Sequence, residues 1–302
     1  MQANKKELIR RLKPLGVREG VRMSELTSFR IGGPAFALAE PSTREELLTI
    51  LGAAKACDVE VFLMGNGTNL LVSDEGLDKL VVRIGEGFSC MKRTTSGMEA
   101  GAGTLISAFS RFAAAEGLRG IEWASGIPGS VGGAVAMNAG AYGGEIKDAL
   151  CRVDYLENGE FFSVQPKPGD FSYRKSAFSG PGRVVVAAEF ALTCDESAEV
   201  FARIDDFTRR RAEKQPLEYP SAGSVFKRPE GHFTGALIEA AGMKGMRLGG
   251  AQVSEKHAGF IVNAGGATFK DVLGLIRAVH ALVFETSGIT LETEIKIIGA
   301  AE

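Results

Sequence analysis

Two glycine-rich segments are the first places in this chain where residue type and spacing suggest chemistry. Gly65-Asn66-Gly67-Thr68-Asn69-Leu70 ends an apolar run that begins at Val59, and Ser125–Gly144 holds seven glycines and no charged residue. A glycine inside a helix or strand costs roughly 0.5–1 kcal/mol relative to alanine. Such density therefore requires either a loop that only bends or a bare backbone that must touch a ligand. A turn at 65–69 can converge its N–H groups into an anion nest, with Thr68 and Asn69 adding side-chain hydrogen bonds. The second segment offers further N–H groups and residues small enough for a large flat ligand to approach. It contains no cation, so a diphosphate would be held there by backbone dipoles and helix ends.

The better-known nucleotide and hydrolase motifs fail. GNGTNL (65–70), GEGFSC (85–90) and GAGTLI (101–106) each lack the third glycine of a dinucleotide fingerprint. No GK dipeptide and no serine flanked by glycines at both two-residue offsets occurs. The three histidines (His232, His257, His280) are too far apart for a local zinc motif, and the four cysteines form no CxxC pair. No metal site is expected.

The elements that must position these loops alternate along the chain. VEVFLMG (59–65) and KLVVRIG (79–85) read as buried strands. STREELLTILGAAKA (42–56) reads as a helix opened by a Ser42–Glu45 capping box. TLISAFSRFAAAEG (104–117) places Leu105, Phe109, Phe112 and Ala113 on one helical face. AEVFARIDDFTRRRAEKQP (198–216) is a helix ended by Pro216, and 268–288 carries an apolar stripe of Val272, Leu275, Ile276, Val279 and Val283. LETEIKIIG (291–299) alternates as a closing strand. The pattern is mixed α and β, with a boundary near 195–205.

Its 302 residues suffice for two or three domains, with 45% hydrophobic and 24% charged residues as in ordinary globular proteins. Thirty-five basic and 37 acidic residues leave a net charge of −2, which excludes a global field for nucleic acid or anionic lipid. The charged start reads as an amphipathic helix rather than a signal peptide, and no apolar run approaches a membrane span. The expectation is a cytoplasmic protein with reduced thiols, without nucleic-acid or membrane partners.

SGIPGSVGGAVAMNAGAYGG together with VFLMGNGTNLLVSDEG (61–76) resembles the flavin-binding signature of the UDP-N-acetylenolpyruvoylglucosamine reductase family. TSFRIGGPA (27–35), FSYRKSAF (171–178), PSAGSVFKRP (220–229), LIEAAGMKGMRLGGAQVSEKHAGFIVN (237–263) and LETEIKIIG follow in that family's order, so the resemblance covers nearly the whole chain. It implies an α+β fold with an FAD-binding domain of the vanillyl-alcohol-oxidase (PCMH) type at 1–200, in lobes of roughly 1–84 and 85–200, and a substrate-binding domain at 201–302. It implies FAD contacts from Gly65, Asn66, Gly67, Thr68, Asn69 and Leu70, and from Gly126, Ile127, Pro128, Gly129, Ser130, Gly132, Gly133, Asn138 and Gly140.

The activity implied is NADPH-dependent reduction of UDP-N-acetylglucosamine enolpyruvate to UDP-N-acetylmuramate, for peptidoglycan synthesis, by a monomer. Hydride would pass from flavin N5 to substrate C3, and a proton to C2. Arg174 matches the family's carboxylate-stabilising arginine, a role suited to a planar, always-charged fork. Glu294 matches the catalytic glutamate, although the alternation of LETEIKIIG alone cannot choose between it and Glu292. Ser224 matches the proton donor, a poor acid in water that needs a strongly basic acceptor. Lys214, Lys227 and Arg228 are implied diphosphate contacts, with Arg228 departing from the family's usual polar residue, and Lys256 and His257 line the same site. Only fifty positions separate Arg174 from Ser224, which fits the family's shorter form without a tyrosine-bearing loop. No histidine precedes His232, so histidyl attachment of FAD in the first domain is excluded and the cofactor is expected to be non-covalent. Two other readings stand beside this one: another FAD oxidase or dehydrogenase of the same fold, and a flavin-free sugar-nucleotide-binding protein.

Overall fold

A computed structural model describes residues 2–180 and 182–299. The chain forms two packing units, each discontinuous in sequence. The first comprises the described residues of Met1–Glu19, Ala37–Asn66 and Lys79–Arg211. The second comprises those of Gly20–Phe36, Gly67–Asp78 and Ala212–Glu302.

In the first unit, helix α1 (Gln2–Leu12) buries Leu8 and Leu12 and contacts α2 (Arg44–Ala56). The α2 cap lies one residue later than the sequence suggests. Thr43, not Ser42, accepts from the Glu46 N–H (3.1 Å), while the Ser42 N–H donates to the Glu46 carboxylate (2.7 Å). Both residues can cap, and extended backbone at Thr43 (φ −135°, ψ 166°) decides between them. Val61–Met64 pairs in parallel with Leu80–Arg83, which leaves the turn beginning at Gly65 at the strand's C-terminal end.

A five-stranded antiparallel sheet follows, ordered Glu160–Val164, Leu150–Glu157, Arg183–Ala191, Gly97–Gly101, Met91–Arg93. The central strand Arg183–Ala191 is buried from Val184 to Phe190, as its near-continuous apolar run requires. Helix α3 (Ile106–Ala115) sets Phe109 against Phe190 with ring centroids 4.9 Å apart. Its buried face is Ile106, Phe109, Ser110, Ala113 and Ala114, whereas Leu105 is 43% exposed. The expected face was rotated, because Leu105 is the N-cap and the first helical position is Ile106. Helix α4 (Val131–Met137) packs on Arg183–Ala191, and α5 (Ser197–Lys214) sets Val200 and Ile204 against Ala114.

The second unit is built on a four-stranded antiparallel sheet, ordered Ser221–Ser224, Phe260–Asn263, Ala251–Val253, Arg247–Leu248. Helices α6 (Thr234–Ala240) and α7 (Phe269–Ser287) cover it. All five residues of the expected α7 stripe are buried. At roughly 1.5–3 kcal/mol for each large apolar side chain buried, the stripe is the main anchor of this helix. Thr268 and Asp271 form its capping box, and Gly288 ends it in the left-handed conformation (φ 70°). Phe29, Ile31 and Leu71 join the same core, which is why the two short segments from earlier in the chain pack here.

The closing strand is shorter than 291–299. Only Lys296–Ile298 forms a ladder, parallel to Leu70–Val72. Upstream, the Glu294 N–H goes to the Val225 carbonyl and the Lys227 N–H to the Glu292 carbonyl, so the backbone of 292–294 is engaged elsewhere.

Candidate active site

Within the first unit, Gly65 and Asn66 meet the second glycine segment. The Asn66 side-chain amide donates to the Pro128 carbonyl at 2.7 Å. A Cβ on Gly65 would lie 2.5 Å from the Ser130 hydroxyl oxygen, so the absence of a side chain there is what allows the segments to approach so closely. Ser125, a residue the sequence reading did not single out, opens the second segment. It is buried, and its hydroxyl has no hydrogen-bond partner among the described residues. A buried polar atom without a partner is costly, and one on a glycine cradle marks a place for a ligand's polar group. On these observations the segment fits a flat, hydrogen-bonding cofactor such as FAD.

Ser125–Gly144 is not wholly a loop. Residues Val131–Met137 form α4, whose N-cap Ser130 accepts from the Gly133 N–H (3.3 Å). The Val131 and Gly132 N–H groups donate to the Thr104 and Ala102 carbonyls. A Cβ on Gly132 would sit 2.8 Å from that of Ala102. Gly132 thus permits helix-to-strand packing, and the first N–H groups of α4 are already paired rather than aimed at a diphosphate. Asn138 ends α4 in the left-handed conformation (φ 44°) and is fully buried. Its amide donates to Glu145 and the Ser172 carbonyl and accepts from the Lys147 N–H, so its hydrogen bonds lie within the protein.

Arg174 sits on the turn of a two-residue-strand hairpin, Phe171–Ser172 with Lys175–Ser176, at φ 57°. A left-handed arginine is uncommon, and such residues gather at functional sites. Its guanidinium carbon lies 5.0 Å from the Tyr173 ring centroid. A Cβ on Gly140 would lie 3.3 Å from an Arg174 terminal nitrogen and 2.9 Å from Glu145 Cγ. Gly140 therefore makes room for an arginine and a carboxylate. Burial pushes the Glu145 carboxyl up, but hydrogen bonds from Lys147 and Asn138 and the charges of Lys147 and Arg174 outweigh it and hold it below the ordinary value.

The second unit carries Ser224 and Glu294 on one framework. Ser221 and Ser224 face Val262 and Phe260, so the ladder holds a bulge over Ala222-Gly223, with Gly223 at φ 78°. Bulges of this kind re-aim the following side chain. The next carbonyl, that of Val225, accepts from the Glu294 N–H at 2.7 Å. The Glu294 carbonyl in turn accepts from the Asn69 side-chain amide at 3.2 Å, and the Lys296 N–H donates to the Asn69 carbonyl. Asn69 is thereby tied to the Glu294 backbone. Glu292, which the alternation could not separate from Glu294, is exposed and ion-paired with Lys227, whereas Glu294 is half-buried.

The expected substrate cations differ in their surroundings. Arg228 lies 4.0 Å from the Phe233 ring centroid and donates to the His232 carbonyl. Lys256 donates to the Ala212 carbonyl at 2.6 Å. The His257 Nδ1 accepts from the Gly259 N–H, and burial lowers its pKa from the ordinary value. Lys214 ends α5 and is exposed.

Comparison with known proteins places the chain in a family. Residues 35–163 match the family described as FAD binding domain, and residues 215–298 that described as UDP-N-acetylenolpyruvoylglucosamine reductase, C-terminal domain. UDP-N-acetylenolpyruvoylglucosamine reductase of Agathobacter rectalis is 47% identical over 307 residues, 97% of this chain and 98% of that protein. The chain belongs to the UDP-N-acetylenolpyruvoylglucosamine reductase family. The Clostridioides difficile member of this reductase family is 43% identical across 92% of this chain and 91% of its own length. A crystal structure of the reductase from Thermus caldophilus superposes with a TM-score of 0.80 at 39% identity, covering 92% of this chain and 97% of that one. As a member of the UDP-N-acetylenolpyruvoylglucosamine reductase family, the chain is a flavoprotein oxidoreductase with an α+β fold and an FAD-binding domain of the expected vanillyl-alcohol-oxidase type. Among the described residues no helix is long and apolar enough to cross a membrane.

Proposed function

We propose that this chain reduces UDP-N-acetylglucosamine enolpyruvate to UDP-N-acetylmuramate with NADPH, through non-covalently bound FAD, as a cytoplasmic monomer in peptidoglycan precursor synthesis. The supporting observation is the Asn66–Pro128 hydrogen bond, which joins two glycine segments in a chain whose relatives carry that reductase name along almost its full length. Gly65, Asn66, Gly67, Thr68, Asn69 and Leu70 would hold FAD together with Gly126, Ile127, Pro128, Gly129 and Ser130. When bound there, FAD would supply the hydride chemistry, carrying reducing equivalents from NADPH to C3 of the enolpyruvyl group.

The remaining chemistry belongs to side chains. Negative charge develops on C2 and the attached carboxylate. The Arg174 guanidinium would take that carboxylate bidentately, and a charged donor preorganised at such a position is worth most where charge appears only in the transition state. Ser224 would donate its hydroxyl proton to C2, so that its O–H bond breaks as the C–H bond forms, and water then restores the proton. Glu294 would act beside the developing enol, its backbone fixed by Val225 and Asn69. Lys214, Lys227 and Arg228 are the cations offered to the substrate diphosphate, and Lys256 and His257 would shape their surroundings. The net reaction consumes one NADPH and one proton per enolpyruvyl group.

The test is a separation of half-reactions. Arg174→Ala and Glu294→Gln should bind FAD and accept hydride from NADPH at near-native rates. Reoxidation by the enolpyruvyl substrate should slow by roughly 10²–10³-fold, the usual cost of one preorganised electrostatic contact. Loss of the NADPH step instead would show these roles to be misassigned.

A further inference from the structure

Helix α5 carries four arginines, three of them in succession at 209–211, and Arg211 differs from the rest. Arg203 pairs with Glu122 (2.9 Å) and Asp195 (2.5 Å), while Arg209 and Arg210 both pair with Asp206 (2.6 Å). No carboxylate pairs with Arg211 among the described residues, although its side chain is half-buried. Burial lowers its pKa, and the one interaction opposing that shift comes from Tyr142. A desolvated cation without a counter-charge is expensive.

Its position indicates what the counter-charge is. A Cβ on Gly126 would lie 2.6 Å from Arg211 Cδ, 3.4 Å from Nε and 3.6 Å from a terminal nitrogen. The guanidinium thus lies across bare backbone of the glycine segment, within the residues that match an FAD-binding domain. Adjacent Ser125 is buried, with a hydroxyl that has no hydrogen-bond partner among the described residues. One turn back on α5, Phe207 stacks on Tyr142 with ring centroids 4.9 Å apart, and Tyr142 is held at φ 52°. An unneutralised guanidinium from α5 therefore lies against Gly126, next to the unsatisfied hydroxyl of Ser125. Both lack the same thing, an acceptor oxygen, and none reaches them among the described residues.

We propose that Arg211 is the charge partner of an anionic oxygen of bound FAD, with the Ser125 hydroxyl as a second donor to the same region of the cofactor. This rests on the flavin reading above and adds a contact outside the two glycine segments. FAD offers two such oxygens, on its diphosphate and on the N1–C2=O edge of the ring, where negative charge resides after reduction. The fork of arginine suits either, and the two are separable by experiment.

Arg211→Met keeps the stem over Gly126 and removes the charge; Arg211→Lys keeps the charge and removes the fork. Apoprotein titration with FAD, potentiometry of the reconstituted flavin and competition by ADP provide readouts independent of turnover. Arg211→Met should weaken FAD roughly 10- to 100-fold, the worth of a charge-assisted hydrogen bond, with Arg211→Lys intermediate and Ser125→Ala weaker by a smaller factor. Arg210→Gln, whose partner is Asp206, should match the wild type. If the oxygen is on the diphosphate, ADP will compete less well in Arg211→Met and the flavin potential will be unchanged. If it is on the ring edge, the potential will fall and ADP competition will be unaltered. A folded Arg211→Met protein with native FAD affinity and native potential would overturn the proposal. Should that variant not fold, native affinity and potential in Arg211→Lys would overturn it equally, because a lone ammonium cannot replace a two-pronged contact. Failure of wild-type apoprotein to take up FAD would instead refute the flavin reading itself.

Discussion

Asn66 and Pro128 are joined by a 2.7 Å hydrogen bond, side-chain amide to backbone carbonyl, across sixty-two positions of sequence. Neither of the two glycine segments contains a regular ladder to the other, so this bond carries much of their register. Asn66→Ala should leave the fold intact, since one such bond is worth about 1 kcal/mol. FAD affinity should fall by roughly fivefold, as the loop loses its preorganised shape. Titration of apoprotein by flavin fluorescence measures it, and unchanged affinity would show the bond to be incidental.

Gly65 is set against the Ser130 hydroxyl. Gly65→Ala forces that oxygen aside and breaks the N-cap of α4, where it accepts from Gly133. Loss of a cap costs about 1 kcal/mol. In the double variant Gly65→Ala/Ser130→Gly the clash disappears, so the two changes should couple favourably in a thermal-denaturation cycle. Additive losses would indicate that the contact imposes no constraint.

Ser224 and Ser221 lie either side of a bulge, and only the first is re-aimed by Gly223. Ser224→Ala should leave flavin reduction by NADPH near normal and cripple substrate-dependent reoxidation, while Ser221→Ala stays close to wild type. Gly223→Ala should also slow reoxidation, because φ 78° disfavours any side chain. Stopped-flow half-reactions decide, and a crippled Ser221→Ala beside an active Ser224→Ala would move the donor role to the other serine.

The α7 stripe sets the stability of the second unit. Leu275→Ala should cost about 2–5 kcal/mol, read as a lower denaturation midpoint in urea. A loss under 1 kcal/mol would mean that the surrounding core closes over the gap.

His257 and His280 have pKa values lowered from 6.5 by burial. The unfolded chain therefore takes up protons first as pH falls, and stability should decline from about pH 6.5 downward. His257→Gln should flatten that decline in pH-dependent thermal denaturation. An unaltered slope would assign the acid limb to other groups.

What could be read from the sequence follows from how periodic each element is. The α7 stripe is evident from local spacing, and the structure keeps every one of the five apolar positions. Helix α4 was hidden because glycines that signal a loop also permit a helix to press on Ala102. Glu292 and Glu294 could not be separated by alternation. The difference lies in Lys227 and in the Val225 carbonyl, which reach them from elsewhere in the chain. Phe29, Ile31 and Leu71 join a core built mainly from C-terminal residues, a pairing that no linear pattern encodes. Arg211 was obscured by its neighbours, since a run of arginines on a charged helix reads as solvated surface until its ion pairs are assigned.

The most direct test of the central claim is an anaerobic single turnover. Protein purified with its yellow cofactor is reduced by one equivalent of NADPH and mixed with UDP-N-acetylglucosamine enolpyruvate, while the visible absorbance of the oxidised flavin is followed. The account requires the flavin to be reoxidised by this substrate without oxygen, with one equivalent of UDP-N-acetylmuramate formed. A reduced flavin that persists in the presence of the enolpyruvyl sugar nucleotide, yet reoxidises on admission of air, would contradict it.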